Sequence, residues 1–247
     1  MVKNFKITTE YDGTCFHGWQ RQKKERSVQG EIEKVLETIT TSKITLAGSG
    51  RTDAGVHALG QVAHFKCTTK LSPETLMKGL NSLLPNDIVI LSCEQADDDF
   101  HARFNTKSKV YNYRILNQPL PSAIRRQYVW HIAKKLDVDA MRKALDHIKG
   151  KHNFSAFEGS GSPRSHSTRH MMNAEITNSK EGLLVVELEA DGFLKFMVRN
   201  IVGTLVDVGF GKVTPEGFKE ILLSKDRNLA SPTAPPQGLF LIQVKYD

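Results

Sequence analysis

The stretch AGSGRTDAGVHALGQVAHF, residues 47–65, joins a loop to a strand and decides how the first half of the chain folds. From residue 60 onward GQVAHFKC alternates as a half-buried strand does, and KITLAGS, from residue 43, reads as another strand leading in. Between them one acid, Asp53, stands beside Arg51 in a loop bounded by Gly50 and Gly55. Glycines admit backbone angles closed to other residues, so the chain here can come close to a ligand. Two readings follow. Asp53 can close an Asx-type turn that Arg51 braces, and the local pattern alone favours that. Alternatively the guanidinium keeps the carboxylate ionised, and an ionised carboxylate can serve as a nucleophile.

Working outward, FKITTEY (5–11) reads as a strand. VQGEIEKVLETIT (28–40) places Val28, Ile32, Val35, Leu36 and Ile39 at helical spacing. A helix is predicted from Pro73, where proline suits the first turn, followed by a strand at DIVILSCE (87–94). The second half repeats this economy. KVYNYRIL (109–116) alternates as a strand, VDAMRKALDHIKG (138–150) is an amphipathic helix, and MNAEITN and LLVVELEA are strands. FMVRNIVGTLVDVG (196–209) is apolar nearly all round and reads as a buried helix. PEGFKEILLS is a further helix, and LFLIQVKY closes as a strand. The expected class is α+β, with two related α/β subdomains of mixed or antiparallel sheets flanked by helices. The subdomains are drawn at 1–100 and 101–247, with a cleft between them.

Composition narrows the function classes. The 247 residues are 39% hydrophobic and 25% charged, as in soluble globular proteins. No run of 18 apolar residues is present, so no membrane span is expected, and the opening residues lack the apolar core of a signal peptide. Three scattered cysteines, Cys15, Cys67 and Cys93, make neither a disulfide framework nor a CxxC site. A cytoplasmic location is expected. Phosphate-loop, dinucleotide, zinc-protease and hydrolase-elbow motifs are all missing, so no cofactor is expected. Asp53 and His57 lie four apart, as two metal ligands on a helix can, but no third ligand is near in sequence, and no metal is expected.

The net charge of +7 is unevenly spread. Residues 1–100 hold 12 Lys and Arg against 13 Asp and Glu; residues 101–247 hold 22 against 14. A basic half suits a polyanion, because cationic side chains release the counterions condensed on phosphates. The segment EGSGSPRSHSTRH (158–170) reads either as a mobile surface loop or as a cationic clasp for RNA. RQKKER (21–26) invites the same pair of readings. Candidate phosphate contacts by charge are Arg21, Lys23, Lys24, Arg103, Arg164 and Arg169. On the KVYNYR strand, Tyr111 and Tyr113 share one face, and a tyrosine there can stack on a base or move a proton. Arg199 falls in the middle of the apolar helix, where a charge needs a partner, and Asp53 is a natural candidate.

Seven segments in order resemble one family, tRNA pseudouridine synthase A (TruA). They are YDGTCFHGWQRQ (11–22), SVQGEIEKVL (27–36), GSGRTDAGVHALGQVAHF (48–65), LNSLLPNDIVI (80–90), FHARFNTKSKVYNYRI (100–115), DGFLKFMVRNIVGTLVDVG (191–209) and APPQGLFLIQVKY (234–246). The resemblance implies a homodimeric, cofactor-free isomerase that converts uridine to pseudouridine at positions 38, 39 and 40 of the tRNA anticodon stem-loop. It implies that Asp53 is the catalytic aspartate, Tyr111 the active-site tyrosine, Arg51 the arginine that enters where the flipped nucleotide leaves the stack, and Arg199 the partner of the aspartate. The chain departs from the family pattern at Lys195 and Phe196, before MVRN, and at Pro235, Pro236 and Gln237. Two other readings stand beside this one: a non-catalytic tRNA-binding or chaperone protein, and a synthase with different RNA target positions.

Overall fold

The computed structural model describes residues 2–161, 166–178 and 181–246. The chain forms two compact units, one of residues 1–107 with 240–247 and one of residues 108–239. A single boundary near residue 100 was expected from sequence. The first unit runs to residue 107, and the last eight residues return to it because a C-terminal strand completes its sheet.

In the first unit β1 (Val2–Tyr11) is flanked by β3 (His57–Thr68) and β4 (Ile88–Ala96), both antiparallel to it, with Phe5 opposite Phe65 and Ile7 opposite Cys93. The short β2 (Ala47–Gly48) pairs with β3. Helices α1 (Val28–Thr40) and α2 (Pro73–Leu83) begin as the sequence dictates. Ser27 and Ser72 each accept a backbone N–H of the first turn, and Pro73 opens α2. Val28, Ile32 and Leu36 of α1 and Leu76 and Leu80 of α2 are fully buried, as are Phe5, Ile7 and Phe65.

The strand expected over 43–49 pairs only at residues 47 and 48. Ile44 and Leu46 are buried as an apolar strand would be, yet the backbone of Leu46 bonds to side chains. Its N–H donates to Glu33 and its carbonyl accepts from Gln29, both on α1. Two polar side chains on a helix thus take the place of a neighbouring strand.

In the second unit β5 (Ser108–Asn117) carries the short parallel β6 (Trp130–Ile132) on one side. On the other, β7 (Gly150–Asn153), β8 (Thr168–Asn178) and β9 (Leu183–Ala190) complete an antiparallel order β5-β9-β8-β7. Helices α3 (Val138–Asp146), α4 (Met197–Gly209) and α5 (Pro215–Ser224) pack on one another, α3 against β8 and α4 against β5. The α4 helix is buried on nearly every side, as its composition predicts. The helix predicted over 138–150 ends at Asp146. His147 and Ile148 turn their N–H groups to Ala144 and Leu145 in a tightened last turn, and Gly150 then starts β7. Residues 168–170, expected as loop, belong to β8. Finally β10 (Leu239–Lys245) pairs in parallel with β3, Phe240 opposite His57. Antiparallel strands with one parallel pairing in each unit, and helices packed on them, make the fold α+β.

Candidate active site

In the first unit the loop that carries Asp53 is built by its backbone. The Val56 N–H donates to the Asp53 carbonyl across a four-residue turn, with Gly55 at φ +76° in the third place. That left-handed position is what a type II turn needs and what glycine supplies. A backbone bond thus closes the turn, and Asp53 is half-buried.

Residues 13–20 hold the loop from the other side. Trp19 N–H donates to the Thr52 carbonyl at 3.1 Å, and Gly55 N–H donates to the Phe16 carbonyl at 3.2 Å. The buried Tyr11 hydroxyl meets Thr52 Oγ1 at 2.7 Å. Burial pushes the Tyr11 phenol up to about 12, against the pull of its hydrogen bonds, so it is a neutral strut. Ser49 donates to the buried Gln61, which in turn donates to the Gly50 carbonyl. Gly18, at φ +90°, lies against Thr52 so closely that a Cβ there would stand 2.5 Å from the carbonyl oxygen. His57, four residues past Asp53, is a core histidine: it is stacked on Phe240, Gly13 N–H donates to its Nδ1, and Asp12 lies 3.1 Å away. No cluster of three metal-ligating side chains occurs among the described residues.

The Arg51 guanidinium is exposed, and its Nε donates to Gln20 Oε1 at 3.0 Å. Arg21 pairs with the buried Glu33 at 2.9 Å and keeps half of its side chain in solvent. Lys23 and Lys24 are exposed on the bend that follows. Arg103 lies with its guanidinium 5.8 Å from the ring of Phe104, a phenylalanine 76% exposed.

In the second unit Tyr111 and Tyr113 share the buried face of β5, yet their environments differ. Tyr111 stands edge-on to Phe193, ring centroids 4.9 Å apart. Tyr113 is fully buried, and its hydroxyl donates to the Pro235 carbonyl at 2.7 Å. Burial raises its pKa, and the charge of Arg199 only partly offsets that.

Arg199 occupies the third residue of α4, not its middle, and is half-exposed, because the helix begins only at Met197. Its Nε donates to the Ala234 carbonyl at 2.8 Å, its carbonyl accepts from Ala234 N–H, and its guanidinium lies 5.1 Å from the Phe196 ring. The segment from Ala234 to Gly238 is thus a strap that fixes both Tyr113 and Arg199. Arg169 lies on β8 opposite His152, bonded locally to His166 and Thr168, so it belongs to a strand. Arg164 lies outside the described residues.

Sequence reasoning passed over Gln20, Gln29, Glu33 and Phe193. A signal existed for two of them: Gln29 and Glu33 stand four apart on the apolar stripe of α1, where a polar residue needs a reason.

No helix among the described residues is long and apolar enough to cross a membrane. A family model described as tRNA pseudouridine synthase matches residues 7–105 and 144–247. Proteins named tRNA pseudouridine synthase A from Thermoanaerobacter sp. (strain X514) and Clostridium acetobutylicum are 46% and 45% identical over 245 residues, covering 99% of this chain and all of each relative. The protein of that name from Acetivibrio thermocellus is 42% identical over the same coverage. On matches that run through both units from end to end, this chain belongs to the tRNA pseudouridine synthase family and is an isomerase that acts on tRNA.

Proposed function

We propose that the enzyme converts uridines 38, 39 and 40 of the tRNA anticodon stem-loop to pseudouridine, with Asp53 as its catalytic group. The observation that carries this reading is the Asp53 turn, closed by a backbone bond from Val56 N–H to the Asp53 carbonyl and tied by Trp19 and Phe16 on either side, which holds a half-buried carboxylate on a fixed loop. The full-length identity to proteins named tRNA pseudouridine synthase A supports the tRNA part, and the motif resemblance supports the positions.

The chemistry sets the roles. The N1–C1′ bond breaks, uracil rotates, a C5–C1′ bond forms, the C5 proton leaves and N1 takes up a proton, so substrate and product are isomers. A stacked base must first be flipped out, which costs a few kcal/mol. Arg51 enters the stack where the nucleotide leaves. Three routes are open to Asp53: addition to the uracil ring, addition to the ribose and removal of a ribose proton. All three require an ionised oxygen. Tyr111 stacks on the base and assists loss of the C5 proton, and Arg199 pairs with the carboxylate. Arg21, Lys23, Lys24, Arg103, Arg164 and Arg169 bind backbone phosphates. The enzyme works in the cytoplasm as a homodimer.

Pseudouridine mapping in tRNA from cells with and without the protein tests the targets. Loss confined to positions 38–40 is expected, and loss elsewhere overturns the assignment. Asp53→Ala and Asp53→Asn are expected to bind tRNA and make no pseudouridine; turnover by either purified variant overturns the role of Asp53. Neutralising a phosphate-binding residue should flatten the logarithmic salt dependence of tRNA binding by about one unit.

A further inference from the structure

Arg51 is a long, exposed side chain, and an arginine that must enter a helical stack gains from being held in one direction beforehand. A relay of polar side chains lies behind it, buried at Glu33 and Gln29 and half-buried at Gln20. Glu33, on α1 and almost fully buried, accepts at Oε1 from the Leu46 N–H and from Gln29 Nε2, each at 2.9 Å. Its Oε2 faces Arg21 Nη1. Gln29 Nε2 also donates to the Leu46 carbonyl at 2.9 Å. Gln29 Oε1 accepts from the Arg21 N–H at 2.9 Å and from Gln20 Nε2 at 2.7 Å. Gln20 Oε1 then accepts from Arg51 Nε at 3.0 Å.

The polarity of this chain is forced. A carboxylate and a carbonyl can only accept, so the Gln29 amide must present its nitrogen to them and its oxygen to Gln20. Gln20 must therefore turn its own nitrogen towards Gln29 and its oxygen outward, where only a donor fits. We propose that Gln20, oriented by Gln29 and Glu33, is the positioning residue that aims the Arg51 guanidinium.

Gln29 and Glu33 by themselves clamp α1 to Leu46. Gln20 joins that clamp through its bond to Gln29 Oε1 and carries the link onward to Arg51. The bond uses Nε, so the terminal Nη groups stay out of the relay. Gln20 also follows directly on Trp19, whose N–H anchors Thr52 in the Arg51–Asp53 loop, so relay and loop share one support. The inference rests on the role of Arg51 proposed above.

The test is a double-mutant cycle on the full-length enzyme with an anticodon stem-loop substrate, read by single-turnover rate and by Kd. Gln20→Leu should lower the rate about tenfold through misplacement of Arg51, with Kd within about twofold of the parent. In an Arg51→Ala background Gln20→Leu should cause no further loss. Losses that multiply, or a Gln20→Leu enzyme of parental rate beside an impaired Arg51→Ala, overturn the positioning role alone. An Arg51→Ala enzyme of parental rate overturns the role of Arg51 and this inference with it.

Hydrogen exchange at the Arg51 Nε–H, followed by NMR, reads the bond without activity. Exchange should be slow in the parent and fast in Gln20→Leu. Equal exchange in parent and Gln20→Leu overturns the proposal. Should Gln20→Leu fail to fold, Gln20→Ala takes its place in both measurements.

Discussion

Asp53 and Tyr111 stand on opposite kinds of support. Tyr111 lies in a regular strand, where the pleat and the pairing with β9 fix which way the ring points. Asp53 lies on irregular backbone, which its four-residue turn alone would not hold in one shape. Its loop is also tied by Phe16, Trp19 and Tyr11, distant in sequence, and by Gln61 from the following strand. A strand offers two directions for a side chain. A loop offers many, but each must be enforced by a particular partner, and here the partners are buried and polar.

The sharpest way to break this contrast is to remove the chemistry and keep the shape. Asp53→Asn is nearly isosteric and the turn is closed by backbone, so stability should hold while turnover falls about 10⁴-fold or more. Tritium release from C5-labelled tRNA, beside thermal unfolding, measures both. Tyr111→Phe keeps the edge contact with Phe193 and loses only the phenol, so turnover should fall about 10²-fold if that hydroxyl moves a proton. An unchanged rate would reduce Tyr111 to a stacking surface.

Removing the shape and keeping the chemistry should act on the loop through its anchors. Gly18→Ala puts a Cβ against the Thr52 carbonyl at a φ of +90°, with an expected loss of about 2–4 kcal/mol in stability by denaturant unfolding. A smaller loss would mean that the loop moves away without strain. Tyr11, the strut beneath Thr52, gives a pH signature. Its phenol titrates near 10 when unfolded and near 12 when folded, so between those values the unfolded chain sheds a proton that the fold retains. Stability is therefore complete below pH 10 and declines by about 2–3 kcal/mol as pH rises to 12. In Tyr11→Phe that part of the decline should vanish. Tyr113 and Tyr246 titrate high in both proteins, so the difference between the two unfolding curves isolates Tyr11.

Much of the regular structure was legible, because its signals are local. The apolar spacing of residues 28–39 announces α1, Pro73 announces the start of α2, and strand patterns announce β1, β3, β5 and β9. The errors fall where distant partners decide. The segment 43–46 has the composition of a strand and is not one, because Glu33 and Gln29 take the backbone bonds of Leu46. The helix ending at Asp146 and the short β6 and β7 depend on sheet partners elsewhere in the unit. At the site, local pattern favoured a structural turn at Asp53, while the charge asymmetry, the missing cofactor motifs and the motif resemblance argued for chemistry. Gln20 carries no mark in the sequence at all: its part is visible only once Gln29 and Arg51 are seen on either side of it.

The finest test separates two residues that share one face of one strand. Tyr113 is sealed, its hydroxyl committed to the Pro235 carbonyl in the strap that also receives Arg199 at Ala234. Tyr113→Phe should therefore act on stability, by about 1 kcal/mol for a buried hydrogen bond whose acceptor is left behind. In a chain of this length that corresponds to a shift of about 2–4 °C in thermal midpoint. The turnover of Tyr113→Phe should stay within about threefold of the parent, since the strap keeps both of its bonds to Arg199, one to the side chain and one to the backbone. If instead Tyr113→Phe loses turnover as Tyr111→Phe is expected to, the strap is what sets Arg199. The two tyrosines then differ in route and not in importance: one acts on the substrate, the other through the arginine beside it.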